Sequence, residues 1–174
     1  MSKLVFSFIL TSAFFLFSMA HSTTAQSNNL EKNKKIAMQA VEWWLSGSDI
    51  DPKTIFSANY VNNLDSATNP SAGPQKRNLK EVEKEVEKFH SAFKDVKLLK
   101  IMQVAEGDLV ATHVVIRANH VGSFMGEPPT KKTVTYDGVE FVKIENGKII
   151  ETWVTWDKYG FLRQMDALEF LDKD

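Results

Sequence analysis

His120-Val121-Gly122-Ser123-Phe124-Met125-Gly126-Glu127-Pro128-Pro129-Thr130, then Ile144-Glu145-Asn146-Gly147-Lys148-Ile149, then Trp153-Val154-Thr155-Trp156-Asp157, is the stretch whose reading decides the fold. Asn146-Gly147 supplies the positive φ angles of a tight type I′ hairpin turn. The segments on either side, Thr133–Glu145 and Lys148–Trp156, are rich in Val, Ile, Thr and aromatic residues and read as strands. Upstream, Leu109–Gly122 and Val96–Glu106 have the same character and are joined by the turn Glu106-Gly107-Asp108. Residues 122–132, with Pro128-Pro129, form a longer hairpin loop. Asp157 precedes a helical pattern from Lys158 to Leu171, whose apolar side carries Phe161, Leu162, Met165, Leu168 and Leu171. Its place just before that helix favours a capping role over an acid role.

Before the strands the period is helical. Leu30–Leu45 places Ile36, Ala37, Ala40, Val41 and Trp44 on one side, and Gly47 offers a left-handed stop. Residues 26–29 read as a polar lead-in. Asp51-Pro52 is a cap and first-turn proline for a short helix through Phe56. Asn59–Arg77, with Asn69-Pro70 and Gly73-Pro74, reads as a long loop, either a pocket rim or plain surface. Asn78 caps a further helix whose Leu79, Val82, Val86, Phe89 and Phe93 recur at spacings of three and four. His90 lies beside that stripe and reads as structural. Helices followed by a four-strand antiparallel meander indicate an α+β fold, a curved antiparallel sheet covered by helices and enclosing a cone. The inside of the cone is a natural ligand pocket.

Composition narrows the function classes. The 174 residues carry a net charge of −1, with 43% hydrophobic and 25% charged residues and no long basic block, so no nucleic-acid partner is expected. Residues 1–25 have a short basic start at Lys3, an apolar run from Leu4 to Met19 and small residues after it, the pattern of a secretory signal peptide. The run falls short of the ~20 residues of a spanning helix. Export to the periplasm or the medium is therefore expected, with residues 26–174 as the mature domain and no membrane span. Cysteine is absent, which excludes disulfides, thiol nucleophiles and thiolate metal sites. Neither ligand-spaced His and carboxylate clusters, nor a Gly-rich phosphate loop, nor a nucleophile elbow occurs, so no metal or cofactor is expected.

In order and spacing, His120, Gly122, Gly126, Pro128-Pro129-Thr130, Glu140, Gly147-Lys148-Ile149, Trp153 to Asp157, and Leu162 with Gln164 resemble the SnoaL-like polyketide (or ester) cyclase family of the nuclear transport factor 2-like superfamily. The likeness extends more weakly over residues 31–168, including Tyr60-Val61-Asn62. It implies a cone-shaped α+β barrel, often dimeric, and ring closure by intramolecular aldol condensation without metal or cofactor. It also implies a pocket Asp on the last strand, right after the Trp-like position, as the acid/base group. Here that position is Val154, which cannot transfer a proton.

The candidate site residues follow from strand alternation. Glu140 shares a side with Val142 and Ile144. A carboxylate among apolar neighbours has a raised pKa, suited to a general base or acid, and the competing reading is a paired Glu in a polar patch. On the last strand Thr152, Val154 and Trp156 share the side that the resemblance turns to the pocket. Trp156 is then a wall for a planar ligand, or simply core. Ile149, Glu151, Trp153 and Thr155 share the other side, and an outward Trp153 suits a homodimer face. Asn62 can orient a carbonyl through its amide, or serve turn chemistry. His120 is a proton shuttle or a structural anchor for the loop after it. Tyr136 can reach the pocket mouth. The expected partner is a small apolar or aromatic carbonyl compound, either bound only or converted by cyclisation, isomerisation or hydration.

Overall fold

A computed structural model describes residues 26–47, 49–64 and 75–167. The expected signal peptide, and Leu168 and Leu171 of the expected last helix, lie outside these residues. Residues 26–46 form helix α1, so the chain is helical through the expected lead-in at 26–29. Gly47 ends it with φ +83°. A 3-10 turn follows at Pro52–Thr54, capped by Asp51, whose carboxylate accepts from the Lys53 N–H at 3.0 Å. It stops short of the expected end because Phe56 already begins a strand. Strands β1 (Phe56–Leu64) and β2 (Gln75–Arg77) precede helix α2 (Leu79–Ala92). Strands β3 (Phe93–Glu106), β4 (Leu109–His120), β5 (Thr133–Glu145) and β6 (Lys148–Trp156) come next, then helix α3 (Lys158–Gln164). No helix among the described residues is long and apolar enough to cross a membrane.

The sheet is six-stranded, in the order β2-β1-β6-β5-β4-β3. It is antiparallel throughout except at β1, which runs parallel to β6. The expected four-strand antiparallel meander is present as β3–β6, and β1 and β2 extend it into a mixed sheet. One expectation is thereby corrected: the stretch beginning at Asn59 supplies strands on both sides of residues 65–74 instead of one loop. Asparagine disfavours strands in general. Here the amides serve as cross-strand donors: Asn62 Nδ2 donates to Thr152 Oγ1 at 2.7 Å, and Asn63 Nδ2 donates to Glu151 Oε1 at 2.9 Å.

Strand β3 starts three residues earlier than expected and follows α2 without a connector; within it Asp95, at φ +53°, lies where the register with β4 shifts between Lys94 and Lys97. Between Lys143↔Glu151 and Ile144↔Ile149 the β5–β6 register slips by one residue. That bulge turns Ile149 inward and buries it in the core, whereas simple alternation sends it outward with Glu151. The capping box at Asn78 and Glu81 starts α2 as expected. Asp157 caps α3, accepting from the Gly160 N–H at 2.8 Å. Gln164 fastens α3 to the sheet by donating to the Thr135 carbonyl at 2.7 Å and accepting from the Thr135 N–H at 2.8 Å.

Two apolar clusters fill the concave side. One joins Ile36, Ala40 and Trp43 of α1 to Phe56, Val86, Val110, Val142 and Ile149. The other joins Phe89 and Phe93 to Ala118, Val134, Phe161, Leu162 and Met165. The cross-strand rows between them, Glu140–Val154, Val114–Gly138–Trp156 and Ile116–Tyr136, are left to face a cavity.

Candidate functional site

The cavity measures about 270 Å³. Sheet residues Val114, Ile116, Tyr136, Glu140, Val154 and Trp156 form one side. Ala40, Val41, Trp43 and Trp44 of α1, and Val82, Glu85 and Phe89 of α2, form the other. Tyr60, Asn62 and Arg77 close it at the β1–β2 end, while Phe124 and Phe161 lie at the opposite end. Most of this lining is apolar, so the few polar groups dominate what the space can recognise.

Glu140 is on the wall as its strand position demands. Its pleat neighbours Val142 and Ile144 are buried, and its direct partners are Thr112 on β4 and Val154 on β6. The carboxyl faces the cavity rather than bulk water, and no other charged group among the described residues pairs with it. Burial therefore pushes its pKa from 4.5 up to about 7. At neutral pH both protonation states are populated, which is the condition for taking and returning a proton.

A second polar cluster stands on the same face. Tyr60 Oη lies 2.6 Å from Thr152 Oγ1, which also accepts from Asn62 Nδ2 at 2.7 Å. All three side chains are buried. Burial, followed by the charge of nearby Glu140, drives the Tyr60 hydroxyl well above its ordinary pKa, so it stays protonated. A threonine oxygen that already accepts the Asn62 amide can donate its own hydrogen to Tyr60, which leaves the phenol proton available to a guest. Tyr60 and Thr152 carried no motif of their own. The cue was the inward side of β6 combined with the Tyr60-Val61-Asn62 likeness, and the loop reading of β1 hid it.

The other expected residues separate into two groups. Asn62, Tyr136, Val154 and Trp156 line the cavity with Glu140. The Trp44 side chain hydrogen-bonds the Tyr136 hydroxyl, whose pKa is also raised, mainly by burial. Trp156 stands edge-on to Tyr136 and Phe161, with ring centroids at 5.9 and 5.4 Å. Gly138 is paired with Trp156, and a Cβ there would come within 3.2 Å of the Trp156 Cβ.

His120 is not brought to this cavity. Its ring stacks on Phe93 at 4.9 Å. Nδ1 accepts from the Thr130 N–H at 3.3 Å and lies 3.0 Å from Thr130 Oγ1, so Nε2 bears the proton of the neutral ring and has no partner among the described residues. Burial holds its pKa below 6.5. Together with backbone bonds to Lys131 and Lys132, this geometry anchors the 122–132 loop. Gly122 completes the anchor. Its N–H donates to the Ala92 carbonyl, and a Cβ there would sit 2.5 Å from the Ser91 carbonyl oxygen. His90 is likewise structural, its Nε2–H donating to the Trp44 carbonyl at 2.8 Å.

Solved structures share this architecture. AclR of Streptomyces galilaeus, a candidate hydroxylase, superposes with a TM-score of 0.69 at 24% identity over 80% of this chain and 87% of its own. IdmH of Streptomyces antibioticus, a candidate polyketide cyclase, gives 0.66 at 23% identity over 77% of this chain and 98% of its own. A candidate SnoaL-like polyketide cyclase from Jannaschia sp. CCS1 gives 0.67 at 14% identity over 79% and 94%. At such identities these likenesses establish the fold alone. No curated protein matches the chain significantly. The model of one family, SnoaL-like polyketide cyclase, matches residues 35–165. With three quarters of its length inside that match, and with the cone-shaped fold, this chain belongs to the SnoaL-like polyketide cyclase family.

Proposed function

We propose that this protein takes a small apolar or aromatic carbonyl compound into the cavity and converts it by proton transfer without a cofactor, with Glu140 as the acid/base group. The observation that carries this reading is the Glu140 carboxyl facing a mainly apolar cavity, its pKa raised by burial to about 7, close to a protonated phenol. In a ring closure, ionised Glu140 removes a proton from the carbon beside the ligand's carbonyl. The Tyr60 hydroxyl donates a hydrogen bond to the developing enolate oxygen, and Asn62 and Thr152 hold Tyr60 in place. The enolate carbon then bonds to a second carbonyl carbon of the same molecule, and that oxygen receives the proton from Glu140. Isomerisation uses the same proton transfers; in hydration ionised Glu140 instead takes a proton from a water molecule whose oxygen bonds to the ligand, and returns it to the other atom of the ligand's double bond. His120, away from the cavity, has no step in this scheme.

The test is Glu140→Gln on a screened panel of aromatic and polyketide-like carbonyl compounds. Turnover should fall ~10²-fold or more. An unchanged rate rejects Glu140 as the proton-transfer group. Binding without turnover in the parent protein selects the second reading, an exported binding protein, which Val154 favours because it removes the acid that the family resemblance places there.

Export and self-association complete the proposal. The leader-like pattern of residues 1–25 supports export. The sheet's outer face supports a homodimer: Val104, Ala111, Phe141 and Trp153 form one cross-strand row there, with Val104 64%, Phe141 47% and Trp153 37% exposed.

A further inference from the structure

The edge of the cavity carries a charge that the proton-transfer scheme leaves unused. Arg77 on β2 is the direct cross-strand partner of Asn62, and both line the cavity. The acidic group nearest to it there is Glu85 of α2, whose Oε1 lies 3.9 Å from Arg77 Nη1, outside hydrogen-bonding reach. That same Oε1 already accepts from Lys88 Nζ at 3.1 Å. Among the described residues no hydrogen bond to the guanidinium is present. A planar fork of five donors thus borders a mainly apolar space with no hydrogen bond to a described residue and only a long ion pair to Glu85, and a carboxylate is the group that fits such a fork with two parallel bonds.

The geometry points to a ligand that is an amphiphilic organic anion: an apolar or aromatic body inside the cavity, with a carboxylate or equivalent acidic group bound by Arg77. This rests on the reading of the cavity as a ligand site and adds the ligand's charge and polarity. It also orders the molecule along the sheet. Arg77 on β2 and Glu140 on β5 are separated by β1 and β6, three strand spacings or ~14 Å between backbones. The acidic end and the reacting carbonyl therefore belong to opposite ends of the ligand. Glu85 makes the site selective, because its carboxylate repels the incoming anion unless Arg77 engages it, and a neutral ligand lacks the charge-assisted pair with Arg77.

Two dyes with the same arylamine frame test this on the full chain. 8-Anilinonaphthalene-1-sulfonate carries an anionic group, and N-phenyl-1-naphthylamine lacks it. Both should bind the parent protein, the anionic dye displacing the neutral one. Arg77→Gln should weaken the anionic dye about tenfold or more and leave the neutral dye within about twofold, which also shows that the variant is folded. Glu85→Gln should tighten the anionic dye. If both dyes bind and Arg77→Gln affects them equally, the anion site is rejected while the cavity reading stands. If neither dye binds the parent protein, the cavity reading fails, and the anion site with it.

Discussion

Glu140 and Val154 are direct partners across the β5–β6 ladder, so their side chains leave the same concave face side by side. The family resemblance places its acid at the Val154 position. The carboxyl of this protein stands one strand over, ~4.8 Å away at the backbone, on a side chain one methylene longer than Asp. With Val154 and Val142 beside it and no cation among the described residues paired with it, the Glu140 carboxyl is shifted by desolvation.

That isolation is measurable without a substrate. A carbon-detected NMR titration should place the midpoint of the Glu140 carboxyl near pH 7. Val154→Asp puts a second carboxyl on the adjacent strand, and like-charge repulsion should move the Glu140 midpoint higher still. A midpoint that stays in the ordinary range near 4.5 in the parent protein would remove the basis for the acid/base role.

The same shift links stability to pH. The Glu140 carboxyl holds its proton more tightly in the folded state, up to about 7 against 4.5 when solvated. The folded state therefore binds more protons between these values, and its stability falls as pH rises through them. His120 acts in the opposite sense, since its lowered pKa penalises the fold at acid pH. The difference between Glu140→Gln and the parent protein isolates the carboxyl. In urea unfolding, the variant's advantage should grow between pH 5 and pH 8 by at most about 3 kcal/mol. A constant difference across that range contradicts the burial described here.

Thr152 is the joint of the buried polar cluster. Thr152→Val keeps the shape but strips Tyr60 Oη and Asn62 Nδ2 of their shared partner. Leaving buried polar groups unpaired costs about 1–3 kcal/mol, so thermal denaturation should show a clearly lower Tm. Tyr60→Phe, which removes the hydroxyl together with its need for a partner, should cost less. Equal Tm values for Thr152→Val and the parent would show that the cluster is already served by water.

Gly122 makes a prediction of a different kind. Ala at this position drives its Cβ against the Ser91 carbonyl and the Ala92 Cα, both backbone atoms that cannot swing away. Gly122→Ala should destabilise the protein by about 1–3 kcal/mol. The loss should appear as faster amide exchange at Val121 and Gly122, whose N–H groups donate to the Ala92 carbonyl.

The outer face of the sheet predicts the oligomer. Light scattering at micromolar concentration should give a dimer mass, and Phe141→Glu with Trp153→Glu should give a monomer that keeps its fold. A parent protein that is monomeric under these conditions overturns the homodimer.

Much of this architecture was legible because its cues are local. Asn146-Gly147 dictates a turn wherever it occurs between two strand-forming segments, and both residues do take positive φ. Asn78 with Glu81, and Asp157 before α3, cap their own helices. Alternation grouped Glu140 with Val142 and Ile144, and Val154 with Thr152 and Trp156; the family resemblance turned the second group to the pocket, and Glu140, Val154 and Trp156 do line the cavity.

What stayed hidden depends on partners distant in sequence. Asparagines in β1 are strand residues only because Thr152 and Glu151, about 90 positions away, accept their amides. Ile149 is core only because a one-residue bulge inverts the alternation before it. His120 alternates inward with its strand, yet the aromatic packing of Phe93 fills the space in front of it and leaves the cavity to other side chains. Sequence by itself determined which segments bend, pleat and coil, because those preferences reside in a few neighbouring residues. Only the tertiary structure decided which polar groups meet inside the cone, because that meeting requires strands β1, β5 and β6 to be brought together from opposite ends of the chain.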